Sequence, residues 1–139
     1  MIILDTNVVS EPMKSNGSLA VQAWLDRQAV ETVYLTATSL SELLVGIEIL
    51  PEGKRKEGLD AALSELVVML FGSRILPFDQ QAAMAYAHLV SRARASGHLI
   101  SVADGQIAAI ATVHGFTVAT RDTAPFVAAG VPVINPWEE

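Results

Sequence analysis

Four acidic residues of this sequence, Asp5, Glu42, Asp104 and Asp122, sit at positions where their neighbours limit what a carboxylate can do. Asp5 directly follows the apolar run Ile2-Ile3-Leu4, and Asp122 lies just past the β-like run from Phe116 to Thr120. In open parallel sheets, sites form beyond the carboxyl ends of strands, at the point where strand order reverses. If these two strands are neighbours, both acids share one rim of the sheet. An Asp in a post-strand turn can also simply bond its own backbone, and for either residue alone that explanation stands beside the chemical one.

Glu42 and Asp104 fall on helices. Leu40, Leu43, Leu44 and Ile47 form one apolar face, while the row of Glu42 continues with Val45, Gly46 and Ile49. A helix apolar on both sides is expected to be sandwiched, which would leave Glu42 partly buried. A buried carboxylate is costly unless a cation or hydrogen-bond donors meet it, so Glu42 calls for a metal or a structural Arg. Asp104 shares its row with Ile107, Ala108 and Ala111. Ser101-Val102-Ala103-Asp104 also resembles a capping box, a stabilising role compatible with a second, chemical one.

Four carboxylates brought together would repel one another unless cations neutralised them. The chain has no cysteine, and His88, His98 and His114 are too scattered for a cluster. Oxygen-only ligation points to a hard cation, Mg²⁺ or Mn²⁺. Such ions bind phosphates, polarise the phosphoryl group and supply hydroxide, so the chemistry expected is phosphodiester hydrolysis.

The elements that must position these acids alternate between short β-like runs and longer helical ones. The pattern predicts an α/β fold with a central, mainly parallel sheet. Strands are expected at Ile2–Leu4, Val33–Leu35, Phe116–Thr120 and Val131–Ile134, with an extended edge segment at 75–78 marked by Pro77. Helices are expected between Ser18 and Val30, from a Thr38 or Ser39 cap to about Leu50, and along the stripe Leu59 to Leu70. Two more should run from Asp79 to Gly97 and from Ser101 to Gly115. No repeat or linker divides the 139 residues, and a single domain over 1–139 is expected.

Composition narrows the function. With 51% apolar residues and a mean hydropathy of +0.40, the chain is expected to fold around a core. Its longest stretch without Asp, Glu, Lys or Arg, from Gly105 to Thr120, is too short and too polar to span a membrane. Nine Lys and Arg against fifteen Asp and Glu give a net charge of −6, unlike a simple electrostatic nucleic-acid binder. Two divalent cations bound at the four acids would add four charges and bring −6 to −2. The acidity is then partly a cation site and no longer argues against an RNA substrate.

The residues around the acids carry a resemblance. Leu4-Asp5-Thr6-Asn7-Val8, Ser41-Glu42-Leu43, Ala103-Asp104-Gly105-Gln106-Ile107-Ala108-Ala109, Val118-Ala119-Thr120-Arg121-Asp122-Thr123 and the closing Asn135-Pro136-Trp137 occur in this order along the whole chain. Together they resemble the PIN-domain ribonucleases, specifically the VapC-type toxins of bacterial toxin–antitoxin pairs in their FitB-like branch. The resemblance implies a PIN-like three-layer sandwich and an endoribonuclease dependent on Mg²⁺ or Mn²⁺. Water activated at the metal would cleave RNA to a 5′-phosphate and a 3′-hydroxyl. Asp5, Glu42 and Asp104 match the three metal-holding acids, and Asp122 matches a fourth that often acts through water. Thr120 matches a small hydroxyl beside the site, and Asn7 a polar neighbour of Asp5. The implied partners are an RNA substrate, a cognate antitoxin, a second copy in a homodimer, and operator DNA reached only through the antitoxin, all in the bacterial cytoplasm.

Arg121, beside Asp122, is a candidate for phosphate contact, and Lys54-Arg55-Lys56 reads as a solvated helix start that could touch RNA phosphates. Trp24 and Trp137 read as packing residues. A different class of function also fits: a catalytically silent module of the same fold that forms a DNA-bound repressor with a partner, its acids docking a partner's Arg. A receiver-type phosphoacceptor would need a lysine at a strand end, and Lys14, Lys54 and Lys56 do not provide one.

Overall fold

A computed structural model describes residues 1–139. Five short strands, β1 (Ile2–Leu4), β2 (Val33–Thr36), β3 (Ile75–Leu76), β4 (Thr117–Ala119) and β5 (Val133–Ile134), form one sheet in the order β3-β2-β1-β4-β5. Every pairing is parallel. The chain first builds outward from β1 through β2 to β3, then returns to the other flank of β1 with β4 and β5. Strand order therefore reverses between β1 and β4, whose register pairs Leu4 with Ala119.

Seven α-helices flank the sheet: α1 (Thr6–Ser10), α2 (Leu19–Asp26), α3 (Ala37–Glu48), α4 (Lys54–Leu66), α5 (Gln80–Ala95), α6 (Val102–His114) and α7 (Ala124–Ala128). Alternation along the strands divides the core between two faces. Ile3 and Val118 point to the side covered by α5, α6 and α7, where Leu89, Ile107, Ile110 and Phe126 are buried. Leu4, Leu35 and Ala119 point to the side of α1 to α4 and meet Val8, Trp24, Leu43, Leu63 and Phe71. The three-layer α/β architecture expected from the alternating pattern is the one observed.

Several local expectations change. Thr36, rather than Thr38 or Ser39, caps α3, its hydroxyl accepting from the Ser39 N–H at 3.0 Å. The stripe from Leu59 to Leu70 is not one uniform helix: α4 gives way at Val67–Phe71 to a π-helical turn. The short helices α1 and α7 were not expected. Five residues cannot display a helical period, although Asp5 and the Thr123-Ala124-Pro125 sequence are recognisable helix starts.

Candidate active site

Asp5 ends β1, its N–H bonding the Ala119 carbonyl at 2.9 Å so that the sheet ladder reaches into the acid loop. It also caps α1: Oδ1 accepts from the Thr6 N–H at 2.8 Å, while Oδ2 accepts from the Thr120 hydroxyl at 2.8 Å. The backbone-bonding explanation holds for one oxygen of Asp5, and the other oxygen is held by the neighbouring strand end. The residue is only 5% exposed. Burial raises its carboxyl above the ordinary Asp range, the bonds to Thr120 and Thr6 pull it back, and Asp122 pushes it up again.

Thr120 is the hub on the neighbouring strand end. A hydroxyl has one proton to donate and two lone pairs, and Thr120 uses all three. It donates to Asp5 and accepts from the Asp122 N–H at 3.1 Å and from Asn7 Nδ2 at 3.4 Å. Asn7 completes the clamp by accepting the Arg121 N–H on Oδ1 at 3.3 Å. The β1 and β4 loops are thus joined by side chains directly beyond the switch point, and Asp122 projects from that junction into solvent.

Glu42 and Asp104 come from two helices that are themselves tied together. The Thr38 hydroxyl, one turn before Glu42, donates to Gln106 Oε1 at 2.9 Å, two residues past Asp104. Ser101 caps α6 by accepting the Asp104 N–H at 3.1 Å. Burial raises the Glu42 carboxyl first, with Asp5 and Asp104 adding repulsion. The Asp104 carboxyl is raised by burial and by Asp5, lowered by the Ser101 hydroxyl, and raised again by Asp122. Each of the three therefore feels other members of the group as like charges. No cation relieves them, since the two ion pairs of the chain join Lys14 to Glu11 and Lys56 to Glu52.

As placed, no three acids stand at metal-ligating spacing. Mg²⁺ and Mn²⁺ suit carboxylate and water oxygens, and Mg²⁺ keeps several waters while taking one or two carboxylates directly. The fit therefore rests on an uncompensated, all-oxygen cluster and does not need four direct ligands.

The expected sandwich around α3 is absent. Leu43 and Ile47 are buried, but Leu44, Val45 and Ile49 are 48%, 58% and 77% exposed, and Glu42 is exposed with them. Within one chain α3 packs on a single side, so its second apolar face is surface. Glu42 loses water only on its inner side.

Two residues around the site carried no chemical signal in the sequence. Glu11 is buried after α1; its carboxylate accepts the Ser18 N–H at 2.9 Å and pairs with Lys14, and the Ser18 bond is the main reason that its acid is held low. Trp137 does more than pack, because the Arg121 guanidinium lies over its ring at 5.1 Å.

Residues 2–131 match the PIN domain. This chain belongs to the PIN domain family. Among similar proteins, the VapC ribonuclease Y4jK of Sinorhizobium fredii is 50% identical, with 99% of each chain covered. The toxin FitB of Neisseria gonorrhoeae is 48% identical over the full length of both. A solved structure of FitAB bound to the IR36 DNA fragment superposes with a TM-score of 0.94, at 47% identity, covering 99% of this chain and 96% of that one. In this PIN domain, Asp5, Asn7, Thr120 and Asp122 meet at the β1–β4 rim, and Glu42 and Asp104 face it from α3 and α6.

Proposed function

We propose that the chain is a Mg²⁺- or Mn²⁺-dependent endoribonuclease, the toxin of a toxin–antitoxin pair, working as one PIN domain over residues 1–139. The observation that carries this reading is Asp5, a buried carboxylate at the switch point that shares like-charge repulsion with Glu42, Asp104 and Asp122, none of them in an ion pair. Similarity to a VapC ribonuclease and to the toxin FitB supports it.

Asp5, Glu42 and Asp104 would hold the ion, with Asp122 reaching it through water. A divalent ion there would offset the clustered negative charge and activate both water and the phosphodiester. Thr120 and the Thr6 N–H fix both oxygens of Asp5, so the carboxylate cannot swing away. Asn7 and Thr120 hold the Arg121–Asp122 loop against it. Arg121 contributes a guanidinium for an RNA phosphate. Cleavage leaves a 5′-phosphate and a 3′-hydroxyl.

The remaining assignments belong to the same reading. An antitoxin would silence the site, with an Arg able to stand where the cation does. Similarity to the DNA-bound FitAB assembly supports operator binding by the complex; with a net charge of −6, this chain would reach DNA only through its partner. The exposed apolar faces of α3 and the π-helical turn suit a homodimer and the antitoxin. No helix is long and apolar enough to cross a membrane, and a toxin acting on cellular RNA would work in the bacterial cytoplasm.

Purified protein with Mg²⁺ or Mn²⁺ should cleave structured RNA, and Asp5→Asn should not. Equal cleavage by both proteins overturns the site. Expression in a bacterial host should arrest growth unless Glu42→Gln is present. Harmless wild-type expression favours the alternative, a silent module of a DNA-bound repressor.

A further inference from the structure

We infer that the groove between α3 and α4 is the path of the RNA strand leading away from the acid cluster, gripped at its phosphates by Lys54 and Arg55. This rests on the ribonuclease reading of that cluster. The groove has a volume of about 770 Å³, with Glu42, Gly46 and Ile47 of α3 on one wall and Lys54, Arg55 and Gly58 of α4 on the other. Glu42 makes it continuous with the acids.

Of the three cations on its walls, Lys14 pairs with Glu11 at 3.1 Å, while Lys54 and Arg55 have no use inside the chain. Lys54-Arg55-Lys56 occupies the first turn of α4, the helix end whose dipole disfavours cations. Lys56 has a local reason to be there: its Nζ donates to Glu52 Oε1 at 2.8 Å and to the Glu48 carbonyl at 3.0 Å, outside the groove. Lys54 and Arg55 are exposed and form neither an ion pair nor a side-chain hydrogen bond. In a chain with only nine Lys and Arg, two unpaired neighbours facing one groove form a concentrated anion site.

The shape of the groove points the same way. Gly46 and Gly58 lie inside helices, where glycine is unfavourable relative to alanine. A Cβ at either would meet nothing within 4 Å, so packing within the chain does not require them. They keep the groove open for something outside the chain. Glu42 is the only acid on its walls, so a polyanionic strand with its scissile phosphate at the Glu42 end matches it in charge and position.

The test measures binding of single-stranded RNA by fluorescence anisotropy in Ca²⁺, together with steady-state cleavage in Mg²⁺. Lys54→Gln/Arg55→Gln should raise Kd about tenfold at low salt and leave kcat unchanged. The slope of log affinity against log salt should become shallower by roughly 1.4, about 0.7 for each charge removed on a single strand. Lys56→Gln, which removes a charge outside the groove, should leave that slope unchanged. Gly46→Leu fills the groove and should raise KM in a protein that melts normally. An unchanged slope in the double variant, an equal loss with Lys56→Gln, or wild-type KM in Gly46→Leu overturns the inference. So does a double variant that binds RNA normally and loses a protein partner. RNA binding that depends on Lys54 and Arg55 without any cleavage would instead sink the nuclease reading and leave the groove standing.

Discussion

The Thr120 hydroxyl donates to Asp5 Oδ2 across 2.8 Å, joining two residues 115 positions apart in the chain. Because the same hydroxyl accepts from Asp122 and Asn7, it sets the geometry of the whole β1–β4 rim. Thr120→Val keeps the shape and removes the donor. Leaving buried polar partners unsatisfied should cost about 1–3 kcal/mol of stability and lower kcat by at least tenfold. Thr120→Ser should retain both. Thermal melts and cleavage rates on the two variants decide it; a fully active, fully stable Val variant would refute the hub.

The three raised acids predict a pH dependence. Asp5, Glu42 and Asp104 have folded pKa values above their unfolded ones, chiefly through burial. The folded state therefore binds protons more readily, so the stability these groups provide is full below the unfolded carboxylate range and is lost as pH rises through the folded values. Glu11, held low mainly by the Ser18 N–H, acts oppositely and loses its contribution as pH falls. Metal-free protein should accordingly melt at a lower temperature near pH 7 than near pH 5.

Binding at the same acids should cancel that loss. With Mg²⁺ or Mn²⁺ at a hundred times its Kd, stability should rise by about 2.7 kcal/mol, and more at neutral pH than in acid. Scanning fluorimetry with and without chelator checks both statements. A melting temperature unmoved by either ion would exclude the acids as ligands.

Gly17 is required by a close approach. A Cβ there would stand 2.4 Å from the Glu11 carbonyl oxygen, a backbone atom that cannot step aside. Gly17→Ala should displace the turn that carries Ser18 toward Glu11 and cost about 1–3 kcal/mol. A lowered denaturant midpoint is the expected reading.

Arg121 and Trp137 should behave as one unit in substrate binding. An exposed cation–π contact is worth about 0.5–1 kcal/mol, so Trp137→Ala should raise KM about two- to fivefold with kcat nearly unchanged. Combined with Arg121→Gln it should add little more. Fully additive effects would show that the stacking does not hold the guanidinium in place.

The sheet and the placement of Asp5, Asp104 and Asp122 at the ends of elements were legible because both depend on patterns that a chain displays locally. Ile2-Ile3-Leu4 before Asp5 and Phe116 to Thr120 before Asp122 announce strand ends, and Ser101 announces the start of α6. What stayed hidden depends on contacts between distant segments. The inward bond of Glu11 to Ser18 and the stacking of Arg121 on Trp137 leave no periodic trace. Glu42 misled for the opposite reason: an apolar row implies a covered face, but not that the cover comes from the same chain. The π-helical turn at 67–71 has no sequence signal of its own.

The pairing of β1 with β4 also orders events in time. Asp5 leaves the ribosome before Thr120, Arg121 and Asp122, which lie 115 to 117 positions further along the chain. A nascent chain carries Asp5 without the hydroxyl that fixes it, so the candidate site closes only once Thr120 has emerged. Until then, a chain proposed to cut RNA lacks the bond on which its candidate site is built.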